Sequence, residues 1–207
     1  MLLAAAAFAA ALLLRLINAP APEITPIDEL YHLKRMTHFV EFDRDRGVAG
    51  AFCPWPPLYD RAAGALARLA GATTREEVWS RVKWLPPIGF ALFVALAVVW
   101  MERRFGRMAA LAAGAALAAS PFAVTLSWVG SIDHHWLEPV FVVGILAAAI
   151  DRRLLLLVIA LTAAMFVQTA LLIAAALAFV ILFFTTDGRA GAVAFGVGAI
   201  EIGRAHV

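Results

Sequence analysis

Charge is scarce in this chain: Asp, Glu, Lys and Arg together make up 15% of 207 residues, whereas an ordinary soluble domain carries about 25%. Cysteine is nearly absent. Cys53 stands alone, which excludes an intrachain disulfide and a cysteine-based zinc site. No long block of like charge occurs either. The net charge is only +2 and the basic residues are dispersed, so the pattern offers no footprint for nucleic acid. What fills the chain instead is apolar: 63% of residues are hydrophobic and the mean hydropathy is +0.86. The apolar residues fall in blocks, several of them approaching the roughly 20 helical residues that cross a ~30 Å hydrocarbon core. The composition therefore predicts a polytopic transmembrane helical bundle, all-α, with the lipid bilayer as its main solvent.

The expected spans are about 1–17, 86–101, 108–124, 137–150 and 154–184. The last run holds 31 residues, about 46 Å as one helix, so a hairpin turning near Gln168 and Thr169 is expected within it. Two short connections carry the basic residues, Glu102 to Arg107 and Asp151 to Arg153. The positive-inside rule places both in the cytoplasm, and parity then puts the other connections on the outer face. The stretch 18–85 holds 9 of the 15 acidic residues and is expected to be a long outer loop hugging the membrane. Inside it, Thr25, Pro26 and Asp28 read as a helix start, with the helix running through Arg35. Leu58, Ala62, Ala65, Leu66 and Leu69 share one face of a second short helix that Gly71 ends. Thr74 and Glu77 form a capping box for a third, with Val78, Val82 and Leu85 on one side and Trp79 and Trp84 suited to headgroup depth.

Two outer clusters carry the unusual polar residues: Asp28, Glu29, Tyr31, His32, Lys34 and Arg35 in the first loop, and Asp133, His134, His135 and Glu138 before the fourth span. Pro139 keeps the preceding residues out of a helix interior. In extended backbone Asp133 and His135 face one way, so both can reach one ion. A distant third ligand such as Asp28 completes a set of oxygen and nitrogen donors suited to Mg²⁺ or Mn²⁺. The plainer alternatives stand beside this: Asp28 as a helix-capping acid, and the Asp133 to Glu138 group as ordinary polarity at a membrane boundary.

In order along the chain, an Asp-x-x-Tyr-His-x-x-Arg setting (Asp28, Tyr31, His32, Arg35), Trp-Pro-Pro-Leu-Tyr-Asp (Trp55 to Asp60) and Gly-Ser-Ile-Asp-His-His (Gly130 to His135) resemble the catalytic subunit of oligosaccharyltransferases of the archaeal and related bacterial type. The resemblance covers residues 1 to 200. It implies a GT-C glycosyltransferase that moves an oligosaccharide from a polyprenyl phosphate or pyrophosphate carrier to the Asn amide of an acceptor polypeptide, inverting the anomeric centre. It also implies a cell membrane protein with its active site on the outer face. By the same resemblance Asp28, Asp133 and His135 bind the divalent cation, with Asp28 and Asp133 catalytic, and Glu29, His32, His134 and Arg35 stand in supporting or substrate positions. The family's later outer-loop glutamate and its C-terminal Trp-Trp-Asp-Tyr-Gly domain have no counterpart here, so the chain is expected to be the N-terminal part of a longer enzyme, inactive alone. The closing hexapeptide Ile202 to Val207 is what one frame of a common sequencing adapter encodes, and residues 201–207 are expected to be non-native. Two other readings compete: a protein O-mannosyl or lipid A aminoarabinose transferase, which shares the Asp-Glu pair but as a rule lacks the Asp-His-His, and a non-catalytic transport protein.

Overall fold

A computed structural model describes residues 1–19, 27–41, 58–168 and 171–184. Every regular element among them is helical: α1 (Leu2–Ile17), α2 (Ile27–Glu41), α3 (Leu58–Leu69), α4 (Arg75–Val82), α5 (Leu85–Phe105), α6 (Arg107–Ala119), α7 (Pro121–Ser127), a 3₁₀ turn His134–Trp136, α8 (Leu137–Ile150), α9 (Leu154–Met165) and α10 (Leu172–Phe184). The chain divides into two compact units, Met1–Leu137 and the residues from Glu138 onward.

In the first unit α1, α5 and α6 pack on one another, and α2, α3 and α4 form a second mutually packed set. Small residues let the first three helices approach. A Cβ built on Gly114 of α6 would stand 2.7 Å from the Val98 side chain of α5. The helix α4 runs almost directly into α5, and together Arg75–Phe105 is the one helix among the described residues long and apolar enough to cross a membrane. The shorter apolar helices, α1, α9, α10 and the His134–Ile150 stretch, have 10–17 residues each.

The expected span 108–124 is not one straight helix. It breaks between α6 and α7 with a bend of 56°, because Pro121 has no N–H to continue the ladder and Ser120 starts a new helix by accepting from the Ala123 amide. Arg15, wholly buried, fastens this break. Its Nε donates to Ser127 Oγ at 2.6 Å, and its Nη1 donates to the carbonyls of Ala11 at 2.8 Å and Ala118 at 3.2 Å. The guanidinium also lies 4.2 Å over the Phe90 ring. A cation beside the last carbonyls of α6 offsets the partial negative charge of that helix end.

The helices of the 18–85 loop form where their caps place them. Thr74 and Glu77 make the reciprocal capping box of α4, and Val78 and Val82 are buried on its inner side. Gly71, at φ +82°, ends α3, with the Ala72 amide bonded to the Ala67 carbonyl at 2.9 Å and the Gly71 amide to Arg68 at 2.8 Å, a Schellman stop. The face that α3 buries is Tyr59, Asp60, Ala63, Gly64 and Ala67. Its apolar residues Leu58, Leu66 and Leu69 point outward, as a helix lying on a membrane would arrange them. The second helix, α2, extends through Glu41, past the expected end at Arg35, and its expected cap residues Thr25 and Pro26 lie outside the described residues.

In the second unit the run 154–184 is broken into α9 and α10 at the expected place. Ile145, Leu157, Leu161, Ala164, Ala175, Ala178 and Leu182 share one buried core there. Gln168, in the break after α9, donates from Nε2 to Glu138 Oε1 of α8 at 3.3 Å, a polar tie to a neighbouring helix of the kind its place in an apolar run suggests.

Candidate metal centre

Three separate pieces of sequence meet in the first unit. Residues three apart share a helical face, so α2 presents His32 and Arg35 together. The first turn of α3 adds Tyr59 and Asp60, and the segment before α8 adds Asp133, His134, His135 and Trp136. The contacts form a chain. Arg35 Nη1 lies 2.7 Å from Asp60 Oδ2, a close ion pair more than an aligned hydrogen bond. Asp60 Oδ1 is 2.7 Å from His32 Nδ1. Beyond the ring, His32 Nε2 is 3.1 Å from Asp133 Oδ1, which is also 2.7 Å from His134 Nδ1. The two imidazole nitrogens face each other at 3.4 Å.

His32 Nε2, Asp133 Oδ1 and His134 Nδ1 are therefore the corners of a small triangle with edges of 3.1, 2.7 and 3.4 Å. Donors bonded at about 2.1 Å to one ion sit roughly 3.0 Å apart in an octahedron and about 3.4 Å apart in a tetrahedron, so these edges match one face of a coordination shell. The far side of the His32 ring fits as well: a ligating histidine almost always gives its other ring N–H to a carboxylate or carbonyl, and Asp60 takes that place at His32 Nδ1. The residues present thus suit a divalent cation held by His32, Asp133 and His134.

Aromatic rings close the cluster from the apolar side. Tyr59 packs edge-on to His32, with ring centres 6.2 Å apart, and its hydroxyl accepts from Trp136 Nε1 at 3.2 Å. Trp136 can stand against α5 because Gly89 has no side chain: a Cβ there would lie 2.6 Å from the indole. Burial raises the Tyr59 phenol well above its usual range, the Trp136 N–H only partly opposing this, so Tyr59 stays a neutral wall.

The expected ligands fall differently. Asp133 is in place, buried on most sides. Burial would raise its carboxyl, but hydrogen bonds from His134 and His32 hold it far below the usual carboxylate range. His135 reaches the other carboxylate oxygen, Nε2 to Oδ2 at 3.5 Å, but its ring is 40% exposed and stacks on His134. The reason is local. Asp133 is extended at φ −68°, ψ 154°, but His134–Trp136 wind into a 3₁₀ turn, so the alternation that would pair positions 133 and 135 ends one residue too early. His134 folds inward instead. Asp28 lies in α2 one turn before His32, and its side chain is outside the described residues. Glu29 is buried and close enough to add to the rise at Tyr59. Asp60 carries no role in the sequence reading, because an acid in the first turn of a helix has a sufficient explanation in the helix dipole. Its burial to 1% exposure with Arg35 is visible only when α2 and α3 are packed.

The charge chain makes stability depend on pH. Burial alone would lower the His32 imidazole, but hydrogen bonds to Asp133 and Asp60 outweigh it and raise it from 6.5 to about 9. A group raised on folding stabilises fully below its unfolded value, and that contribution is lost as pH climbs through the folded one. In chelator the chain should therefore lose up to about 3 kcal/mol between pH 6.5 and 9. Chemical unfolding in detergent across that range measures it. His32→Gln should flatten the slope, and an unchanged slope in that variant would assign it elsewhere.

Comparison of the chain with family models, with curated proteins and with solved structures gives no match in any of the three.

Proposed function

We propose that the chain is the membrane part of a metal-dependent glycosyltransferase of the oligosaccharyltransferase kind, moving an oligosaccharide from a polyprenyl phosphate or pyrophosphate carrier to the Asn amide of an acceptor polypeptide. One observation carries the reading. His32, Arg35, Tyr59, Asp60, Asp133 and His134 come from the three motifs on which the resemblance rests, and they meet in one connected cluster, from Arg35 through Asp60 and His32 to Asp133 and His134, with Tyr59 against the His32 ring. Motifs between 20 and 95 residues apart along the chain that were only helix caps and boundary polarity would have no reason to converge.

In this proposal α5, the bent pair α6 and α7, and the shorter apolar helices belong to a polytopic bundle in the cell membrane, with the cluster on its outer face. His32, Asp133 and His134 would hold Mn²⁺ or Mg²⁺, and the ion would supply positive charge for the leaving phosphate oxygen. Asp60 fixes the tautomer of His32 so that Nε2 is the coordinating nitrogen, and Arg35 fixes Asp60. Tyr59 and Trp136 keep water from the apolar side, which strengthens every charge interaction inside. Asp28 lies one turn before His32 in α2, and His135, with its side chain 40% exposed, would be the histidine open to substrate.

The test is transfer itself. The protein, joined to the later domains the resemblance implies, is reconstituted in liposomes with a polyprenyl-diphosphate oligosaccharide and a peptide containing Asn-x-Thr. Glycopeptide should form with Mn²⁺ and vanish in chelator. Tight Mn²⁺ binding without any transfer, across several lipid-linked donors, would leave a metal site and remove the glycosyltransferase reading.

A further inference from the structure

Behind the Tyr59–Trp136 wall, on the side away from the charged cluster, lies a groove of about 520 Å³ between α3 and the start of α5, within the size range of small-ligand sites. Tyr59, Ala62, Leu66, Trp84 and Trp136 give it an apolar lining, and Arg81 is the one charged residue among those that form it. We infer that this groove holds one acyl chain of a bilayer phospholipid, with the headgroup phosphate at Arg81.

Three features select that occupant. The first is continuity. Ile88, Leu92 and Leu96 recur every fourth residue and are 48%, 52% and 61% exposed, so an apolar stripe runs from the groove down the one helix long enough to cross a membrane. A chain lying on that stripe enters the groove without leaving apolar surface. The second is charge. Arg81 is held in place by its Nε on the Ala70 carbonyl at 3.1 Å and its Nη1 on the Glu77 carbonyl at 3.0 Å. The Glu77 carboxylate is engaged by Thr73 and the Thr74 amide, and a guanidinium fixed this way suits a phosphate. The third is depth. Trp84, 41% exposed at the N-terminus of α5, and the outward leucines of α3 are residue types that settle at headgroup level. A soluble partner would be offered a polar rim, and this groove has none beyond Arg81.

The inference rests on the membrane placement proposed above, not on the metal or on glycosyl transfer. Flotation of the wild-type chain with phosphatidylglycerol vesicles tests that placement by itself. The groove is tested by native mass spectrometry after transfer from those vesicles into detergent. The wild type should retain one phosphatidylglycerol. Ala62→Trp, which fills the groove from an exposed position, should retain at least tenfold less, and Arg81→Gln should lose the preference for phosphatidylglycerol over phosphatidylcholine while still floating. Retention unchanged in both variants overturns the proposal. So does a crosslink from position 62 to residues of this chain beyond Phe184, which would put the protein's own chain in the groove.

Discussion

Asp133→Asn should weaken Mn²⁺ binding by on the order of 100-fold or more, since losing only an outer partner of a metal ligand already costs roughly 10–100-fold. The substitution keeps the shape of the side chain and removes its charge. Asp133 Oδ1 is the corner that both imidazole nitrogens approach, at 3.1 and 2.7 Å, so no other group takes its place. Titration followed by electron paramagnetic resonance reads the effect directly. The neighbouring histidines separate two ligand sets. If the buried triangle is the site, His32→Gln and His134→Gln should each match the loss at Asp133, and His135→Gln should cost less than tenfold. The reverse order would return the site to Asp28, Asp133 and His135 and make the His32 and His134 contacts structural. Metal binding should also release a proton near neutral pH, because without the ion the hydrogen bonds to Asp133 and Asp60 hold His32 protonated up to about 9.

Asp60→Asn should cost stability, about 3–5 kcal/mol, the range for removing one member of a buried ion pair, and also weaken Mn²⁺ binding roughly 10–100-fold, because Asp60 is the outer partner of His32. Asp60 and Arg35 are each 1% exposed. Without the carboxylate the buried guanidinium loses its closest counter-charge and the His32 ring loses the acceptor that sets its orientation. Urea unfolding in mixed micelles measures the change, with Arg35→Met and the double variant completing a cycle. The double variant should recover part of the loss, because the cost comes from the stranded charge. Strictly additive effects would mean that Asp60 and Arg35 do not act as a pair.

Some of this was legible in the residues because it is local. The Thr74 and Glu77 capping box, the Gly71 stop and the break near Gln168 each depend on a few neighbours in sequence, and each lies where the pattern put it. The bend at Ser120 and Pro121 was missed, because an alanine-rich run of suitable length reads as one span. The α3 helix shows the limit of periodicity. Its apolar positions share an exposed face, the arrangement expected of a helix on a membrane surface, and the face it buries against protein includes the small residues Ala63, Gly64 and Ala67, which apolar periodicity does not mark. Hydrophobicity reports which side avoids water. It does not report whether lipid or protein takes water's place.

Local pattern was enough for the helical class, for the start of α4 and the stop of α3, and for the two clusters that hold the unusual polar residues. Composition, caps and period suffice for those, since they are set within a turn or two of chain. Which polar groups come together depended on the packing of distant helices. The fold turned His134 inward where alternation pointed to His135, and it gave Asp60 a partner in Arg35 from a helix more than twenty residues away. The physical reason is that coordination and ion pairing act over about 3 Å, and distances that short between residues 32, 60 and 133 exist only after α2, α3 and the turn before α8 have packed together.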